Sequence, residues 1–467
     1  MVMTPGSKMK NFEDGQRSMM KGEVSEVHEI IDFQAKISDN PLRDAFSGKV
    51  TVHTQTGGMP AMGEAARTLI ESQYAKDGQG TRLAYIHVPF CETRCLYCLF
   101  YQNPLQPDSS RRYADLLIRE LQLWADKPAQ KTGLIHAVYF GGGTPTALEA
   151  VDISRVVRAV KTYLPLANDC EITLEGRFHN FTQEKMEAAF AAGVNRISLG
   201  AQSFNAQVRQ TMRRVDGPEA MIKTIEELAS FNQASIVCDL IYGFPYQTMQ
   251  VWENDLRTAA SLPLDGVDCY QLNVFEKSPL GKFIANGKLP AGADKAERGE
   301  MFARSIHLLT QSQWRRLSNN HWARTFRERN LYNRFAKGAA DCLAFGCGAG
   351  GKINGVSYMM QRKLADWERE IEAGLKPVAF ATAPTPHWHA LRTVSSEMEL
   401  GRVNLADIDR EFGLNLEGLS EDIFAQWEKA GLIRTVGPWR VQTVAGQFWH
   451  VTMSQLLLNV LASRLRS

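Results

Sequence analysis

Long apolar runs, excess charge of one sign and cysteine are all scarce in this 467-residue chain. No run of 18 or more apolar residues occurs, so no membrane span is expected. Lys and Arg number 53 against 51 Asp and Glu, and this balance gives no electrostatic indication of nucleic-acid binding. Eight cysteines are too few for a disulfide framework, and the first residues lack the apolar segment of a secretory signal. We therefore expect reduced thiols in a cytoplasmic protein.

The middle of the chain alternates between strand-like and helix-like patterns. Between segments of helical period, short apolar runs predict six strands, at residues 84–88, 135–140, 171–175, 196–201, 236–242 and 267–274. This alternation predicts an α/β fold with a parallel sheet, which is either open or closed into part of a (β/α) barrel. In both cases ligands bind at the carboxyl ends of the strands.

The two ends of the chain are patterned differently from the middle. Residues 1–80 form an N-terminal extension of unassigned fold, with helices predicted over 30–37 and 65–74 and a loop over 56–60. After a linker at residues 383–386, several helices and a short strand predict a winged-helix-like unit. We therefore expect three parts, which are the extension 1–80, an α/β core over 81–375 and a C-terminal domain over 376–467.

Cys91, Cys95 and Cys98 follow the first predicted strand, separated by three and then two residues. Three thiolates this close can bind three irons of a [4Fe–4S] cluster and leave the fourth iron open, as a catalytic metal site requires. The alternative is a zinc site with its fourth ligand elsewhere. The uneven spacing on a loop after a strand disfavours that alternative.

The spacing CxxxCxxC, with Tyr97 before the last cysteine, is the signature of radical S-adenosylmethionine (SAM) enzymes. The string YIHVPFCETRCLYC, from Tyr85 to Cys98, resembles the coproporphyrinogen-oxidase-like branch of that superfamily. The resemblance implies a partial (β/α)6 radical SAM barrel and a [4Fe–4S] cluster whose open iron is chelated by SAM. It also implies one-electron cleavage of SAM to methionine and a 5′-deoxyadenosyl radical.

Further motifs at predicted strand ends resemble the same branch. They are YFGGGTPT at 139–146, EITLE at 171–175, RISLGAQSF at 196–204 and CDLIYGFP at 238–245. The resemblance implies contacts to cluster-bound SAM from Tyr85, Gly142 and Glu175. It implies a second SAM site lined by Tyr97, Gly143, Thr144, Gln202, Arg214 and Asp239. The alternative is that this second set of residues shapes a single SAM site.

Two later segments provide predicted substrate contacts. The loop FGCGAGG at 345–351 resembles the segment that closes the active site in this branch. This resemblance makes Cys347 a candidate substrate contact. The segment NNHWAR at 319–324 lies near a histidine-bearing segment of the family, which adds His321 and Arg324. For His321 the alternative is a buried structural histidine with satisfied hydrogen bonds.

Three functions fit this branch of the superfamily. The oxygen-independent coproporphyrinogen III oxidases usually carry a further cysteine two residues after the third, where this chain has Phe100. The haem chaperones of the branch are shorter and lack an extension of this size. The strings NPLRDAF at 40–46, GGMP at 57–60, LFY at 99–101 and AFGCGAGG at 344–351 look most like the anaerobic haem-degrading methyltransferases of the anaerobilin-synthase type.

This last resemblance implies a radical SAM methyltransferase with haem as its substrate and two SAM molecules as cosubstrates. The reaction would open the macrocycle without oxygen, form a methylated linear tetrapyrrole and release iron. It also implies an electron donor such as reduced flavodoxin. A downstream tetrapyrrole reductase or haem-handling protein is a further expected partner, whereas nucleic acid and membrane are not expected.

Overall fold

Six parallel strands in sequential order form the centre of the fold in this computed structural model, which describes residues 32–106 and 108–466. They are almost entirely buried, which explains why their sequences read as continuous apolar runs. We call them the first to sixth barrel strands: Arg82–Val88, Ile135–Gly142, Leu166–Gly176, Arg196–Gln202, Ser235–Tyr242 and Gly266–Gln271. All six predicted strands are confirmed, although the sixth ends three residues earlier than predicted.

Helices connect these strands and bury their apolar faces against the sheet. Several begin at a Thr, Asn or Ser whose side chain accepts a hydrogen bond from the first turn, as at Thr182, Asn205, Thr248 and Ser278. The segments of helical period between the predicted strands are helices in the structure. The helices from the first strand to beyond the sixth are Ser109–Leu123, Pro128–Lys131, Ala150–Tyr163, Gln183–Ala192, Ala206–Thr211, Pro218–Ser230, Met249–Ser261, Pro279–Ala285 and Lys295–Gln311.

The barrel strands are the middle of a thirteen-stranded sheet in the described part of the chain. Beyond the sixth strand, His321–Ala323 and then Arg315–Arg316 add antiparallel strands. Asp341–Phe345 pairs in parallel with the first strand, so its end lies at the same edge as the end of the first strand. The sheet continues through Gly350–Ile353, Val356–Met360, Val378–Ala383 and Met59–Met62. Helices Leu331–Ala336 and Leu364–Glu372 lie between these strands in the sequence.

The described part of the N-terminal extension corrects two predictions. No helix occupies residues 32–37, and residues 30 and 31 lie outside the described residues. The predicted loop at 56–60 ends in the strand Met59–Met62, which pairs with Val378–Ala383. This pairing joins segments that are more than three hundred residues apart in the sequence. No local sequence pattern therefore predicts it. The predicted helix at 65–74 is confirmed as Gly63–Tyr74, after a short helix Pro41–Asp44.

The C-terminal part contains helices and a small antiparallel sheet, as a winged-helix-like unit requires. Its three strands are Arg402–Val403, Ile433–Val436 and Trp439–Gln442. Its helices are Trp388–Glu399, Leu405–Phe412, Leu416–Lys429, Val444–Phe448 and His450–Arg464. The division of the chain at residues 80 and 375 stays a prediction. In the two described stretches, no helix has both the length and the apolar character needed to cross a membrane.

Candidate active site

The three cysteines of the CxxxCxxC motif lie on one loop at the carboxyl end of the first barrel strand. Cys91 ends a two-residue strand, Phe90–Cys91, which pairs with Asn103–Pro104 and so closes the base of the loop. The Cys98 backbone N–H donates to the Cys95 carbonyl at 3.3 Å. The backbone of Leu96 bonds to the carbonyl of Met212 and to the N–H of Leu280. Neighbouring elements therefore fix the path of this cluster loop.

Each motif sulfur is approached by a hydrogen-bond donor. Thr144 Oγ1 lies 3.4 Å from Cys91 Sγ, and the Phe100 N–H lies 3.3 Å from Cys98 Sγ. Two guanidinium groups face Cys95 Sγ, those of Arg177 and Arg214. Burial raises the pKa of the Cys91 and Cys98 thiols, and the neighbouring cysteines raise both further. Each of the three sulfurs therefore has a hydrogen-bond donor that could support a thiolate ligand.

The donor set fits a [4Fe–4S] cluster. All three thiols are free, and the donors and positive charge around them suit thiolate ligands. Among the side chains described by the structure, no three His, Cys, Asp or Glu residues are spaced to chelate one metal ion. Three thiols on one loop match the three thiolate ligands of a [4Fe–4S] cluster whose fourth iron is left open.

The glycine turn after the second barrel strand packs directly on the first strand and the cluster loop. Gly142 has φ +113°, and a Cβ there would lie 2.6 Å from the His87 ring. A Cβ on Gly143 would lie 2.5 Å from the Phe90 carbonyl oxygen, while the Gly143 N–H donates to the Val88 carbonyl at 2.8 Å. Only glycine permits this approach, and it places the backbone of the turn beside the cysteines.

Glu175, at the end of the third barrel strand, joins the glycine turn and a group of stacked tyrosines. Its Oε1 accepts a 2.6 Å hydrogen bond from Tyr139, whose ring stacks against Tyr85 at a centroid distance of 6.4 Å. Burial raises the pKa of Glu175, while hydrogen bonds from Tyr139 and from the Gly142 backbone oppose the increase. The structure thus brings together Tyr85, Gly142 and Glu175, the three residues predicted for cluster-bound SAM.

A second group lies at the ends of the fourth and fifth strands. The Arg214 guanidinium contacts the Tyr97 hydroxyl at 3.4 Å and donates to the Gly200 carbonyl. Gly200 lies opposite Asp239 on the neighbouring parallel strand. The Oε1 of Gln202 is buried without a hydrogen-bond partner. Burial, followed by the charge of Glu175, raises the pKa of Asp239 to about 7. An unpaired amide oxygen beside a guanidinium and a carboxylate suits a polar ligand.

The sequence analysis missed Arg177, which follows Glu175 and Gly176 at the end of the third strand. Its guanidinium donates to the carbonyl and the hydroxyl of Thr93 at 3.0 and 2.9 Å, and it also contacts Cys95 Sγ. The available signal was its position, because a basic residue at the carboxyl end of a barrel strand faces the ligand site. The motif resemblance stopped at Glu175.

The predicted substrate residues are not brought together. The His321 ring is buried, and its nitrogens contact Ser318 Oγ at 2.5 Å and Tyr270 Oη at 3.0 Å. Burial lowers its pKa to about 3. Neither ring nitrogen is left for iron, so the geometry favours the structural alternative.

Arg324 requires a correction. It follows a strand that runs antiparallel to the sixth barrel strand, with Ala323 opposite Gly266. This reversal carries Arg324 to the amino end of the barrel, where its guanidinium donates to the Leu262 carbonyl at 2.8 Å. It therefore lies at the wrong end for a substrate contact.

Cys347 is fully buried in the loop after Asp341–Phe345. Its backbone N–H donates to the Tyr113 hydroxyl at 3.0 Å, and its thiol lies 3.4 Å from the Arg362 carbonyl. Burial raises the pKa of this thiol to about 12. The loop packs on the first barrel strand, because a Cβ on Gly346 would lie 2.4 Å from the His87 carbonyl oxygen. A substrate role for Cys347 stays a prediction.

Comparison with known proteins agrees with this geometry. The Radical SAM superfamily domain matches residues 85–259. The chain is 44% identical over 380 residues to anaerobilin synthase of Escherichia coli O157:H7, an alignment that covers 80% of this chain and 83% of that protein. It is 28% identical over 313 residues to the haem chaperone HemW of Escherichia coli K12, covering 63% of this chain and 80% of the chaperone.

Among solved structures, the chain resembles the coproporphyrinogen III oxidase HemN from Escherichia coli. The TM-score is 0.73 at 21% identity, and the match covers 91% of this chain and 99% of that one. The fold and the cluster loop define a radical SAM enzyme, a class that uses a [4Fe–4S] cluster and SAM. Within that superfamily the chain belongs to the coproporphyrinogen-oxidase-like branch and, in it, to the family of anaerobilin synthase.

Proposed function

We propose that this enzyme opens the haem macrocycle without oxygen and forms a methylated linear tetrapyrrole, with release of iron. The observation that carries the proposal is that two groups of buried polar residues lie beside one cluster loop. One group contains Glu175 and the glycine turn, and the other contains Gln202, Arg214 and Asp239. Two groups suit two SAM molecules, one as radical source and one as methyl donor. The identity of 44% to a protein named anaerobilin synthase supports haem as the substrate class.

In the first group, the residues hold and orient one SAM. When bound, the cluster supplies the electron for reductive cleavage of this SAM. The Gly142 and Gly143 backbone lies within reach of the cluster loop because neither residue has a side chain. Glu175 offers a carboxylate that suits an ammonium or ribose hydroxyls. Its raised pKa reflects burial, so a cationic ligand would favour the ionised carboxylate.

In the second group, the residues hold the other SAM and exclude water from it. The Arg214 guanidinium suits a carboxylate, and Asp239 suits ribose hydroxyls. The Gln202 amide oxygen, buried and unpaired, suits a donor of the same ligand. Arg214 also touches Tyr97 of the cluster loop, so the second ligand would lie beside the first. At that distance the 5′-deoxyadenosyl radical from the first SAM could take a hydrogen atom from the methyl group of the second, which would give 5′-deoxyadenosine.

The remaining partners follow from the same proposal. The enzyme would need a low-potential electron donor such as reduced flavodoxin, and a tetrapyrrole reductase or haem-handling protein would take the product. All eight cysteines are free, which suits the reducing cytoplasm.

The second candidate is an oxygen-independent coproporphyrinogen III oxidase, favoured by the fold match along 99% of HemN. A haem chaperone is the third.

Anoxic incubation of the reconstituted protein with SAM, reductant and haem separates these functions. Loss of the haem Soret band, dependent on SAM and reductant, is expected for the proposed enzyme. Stable haem binding without turnover would indicate the chaperone. Turnover of coproporphyrinogen III alone would indicate the oxidase. Either of the last two results would overturn the proposal.

A further inference from the structure

The segment after the third barrel strand contacts the cluster loop through several side chains. Asn180 Nδ2 donates to Glu92 Oε1 at 2.5 Å, and His179 Nε2 lies 3.1 Å from the other oxygen of Glu92. Arg177 reaches Thr93 and Cys95. We call residues 177–180 the clamp. It contacts three of the five residues from Glu92 to Leu96, so it fixes the part of the loop that carries Cys95.

Arg177 is held at its backbone as well as at its side chain. Its N–H donates to Thr146 Oγ1 at 3.3 Å, and a Cβ on the preceding Gly176 would lie 3.0 Å from the Thr146 methyl group. One guanidinium nitrogen donates to the Thr93 carbonyl and hydroxyl, and the other donates to Cys95 Sγ. These hydrogen bonds, at the backbone and at the guanidinium, fix the position of the Arg177 charge. Neither group can move without losing some of them.

Two arginines face Cys95, but their other contacts differ. Arg214 lies 3.7 Å from Cys95 Sγ and also contacts Tyr97 and the Gly200 carbonyl, which places it in the second ligand group. The side-chain partners of Arg177 lie only on the cluster loop among the described residues. The hydrogen bonds of Arg177 therefore direct its charge at a cluster ligand.

We propose that Arg177 is a positioning residue that raises the reduction potential of the [4Fe–4S] cluster. Reduction adds one negative charge to the cluster and its three thiolates. A fixed positive charge that donates a hydrogen bond to one thiolate stabilises this added charge. Net charge and hydrogen bonds to sulfur are the factors that set the potentials of such clusters. Removing the charge should make the cluster harder to reduce.

The test measures the cluster itself, without haem or SAM. Reconstituted wild-type, Arg177→Met and Arg177→Lys proteins are poised anoxically at a series of potentials, and the reduced cluster is quantified by electron paramagnetic resonance. At a fixed potential we expect the ratio of reduced to oxidised cluster in Arg177→Met to fall about tenfold, which for one electron corresponds to about 59 mV. Arg177→Lys should recover most of this loss because it keeps the charge.

The control is Arg410→Met, which removes an exposed arginine of the C-terminal part and should leave the ratio unchanged. An Arg177→Met ratio equal to that of wild type would overturn the proposal. If Arg177→Met fails to bind a full cluster, the comparison passes to Arg177→Gln and Arg177→Lys. A lower ratio in the glutamine variant supports the role of charge, and equal ratios contradict it. Because haem is absent, the result is independent of the proposed reaction.

Discussion

Two buried carboxylates, Glu175 and Asp239, lie close enough for the charge of one to raise the pKa of the other. Burial is the larger cause of the raised pKa of Asp239, and Arg214 and Arg196 oppose it. Like charges in a buried site are costly unless a ligand or a proton compensates them. A cationic, hydroxyl-bearing ligand such as SAM would supply such compensation at this pair of carboxylates.

Changing Arg214 to alanine should weaken the binding of the second SAM selectively. The substitution removes a charge-assisted contact of about 1.5–3 kcal/mol to a carboxylate, or roughly 10- to 150-fold in affinity. The Glu175 group and the three cysteines remain, so the first SAM should still bind. An anoxic titration of SAM with substrate present should find two sites in the wild type and one strong site in the variant. A single site in the wild type would contradict the two-SAM account.

Affinity for the second SAM should rise with pH because Asp239 has a pKa of about 7 in the unliganded protein. Ribose hydroxyls donate to the ionised carboxylate, so below that pKa each binding event must first displace a proton. The affinity should therefore increase from pH 6 to about pH 7.5 and then level off. Asp239→Asn should remove the pH dependence that arises from this carboxyl group. Only the pH dependence caused by titration of SAM itself should then remain. Parallel pH profiles for both proteins would refute the assignment.

At the scale of elements, the short connections at the carboxyl end of the barrel determine the site. The six barrel strands and their helices could be predicted from period and apolar character, because each is a local pattern. The pairing of Met59–Met62 with Val378–Ala383 could not, because it depends on contacts between distant segments. Arg324 was misplaced for a similar reason, since its residue type does not show that the preceding strand runs antiparallel.

The glycine turn should tolerate no side chain at position 142. Gly142→Ala combines a positive φ of +113° with a Cβ only 2.6 Å from the His87 ring, so the turn must move away from the cluster loop. We expect lost binding of the first SAM and a lower denaturant midpoint. Gly287→Ala is the matched control, because φ is +67° there but nothing lies within 4 Å of the added Cβ. Equal effects of the two substitutions would show that the close approach at Gly142 is unimportant.

Within the site, the residues that could be predicted were those inside compact motifs. Cys91, Glu175 and Gln202 each belong to a string that resembles the family, and the fold places such strings at one edge of the sheet. Arg177 was missed because its role depends on the path of another loop, from Glu92 to Cys95, which brings a thiol to its guanidinium. Contacts between loops arise from three-dimensional packing and leave no spacing in the sequence.

At the scale of the whole molecule, the question is which reaction this barrel performs. The fold is shared with an oxidase, and part of the sequence with haem chaperones. The overall architecture therefore does not distinguish between the three functions. What distinguishes them is the fate of the second SAM, because only the proposed methyltransferase takes a hydrogen atom and then a carbon from it. That fate can be followed directly by isotopic labelling.

The most direct test is anoxic turnover of haem with SAM deuterated in its methyl group, followed by mass spectrometry of nucleoside and pigment. The account predicts deuterium in 5′-deoxyadenosine and deuterium-labelled carbon in a linear tetrapyrrole. An oxidase would leave the nucleoside unlabelled and would give a product that lacks two carboxyl groups, and a chaperone would transfer no carbon. An intact, unmethylated macrocycle recovered while SAM is consumed would contradict the central claim.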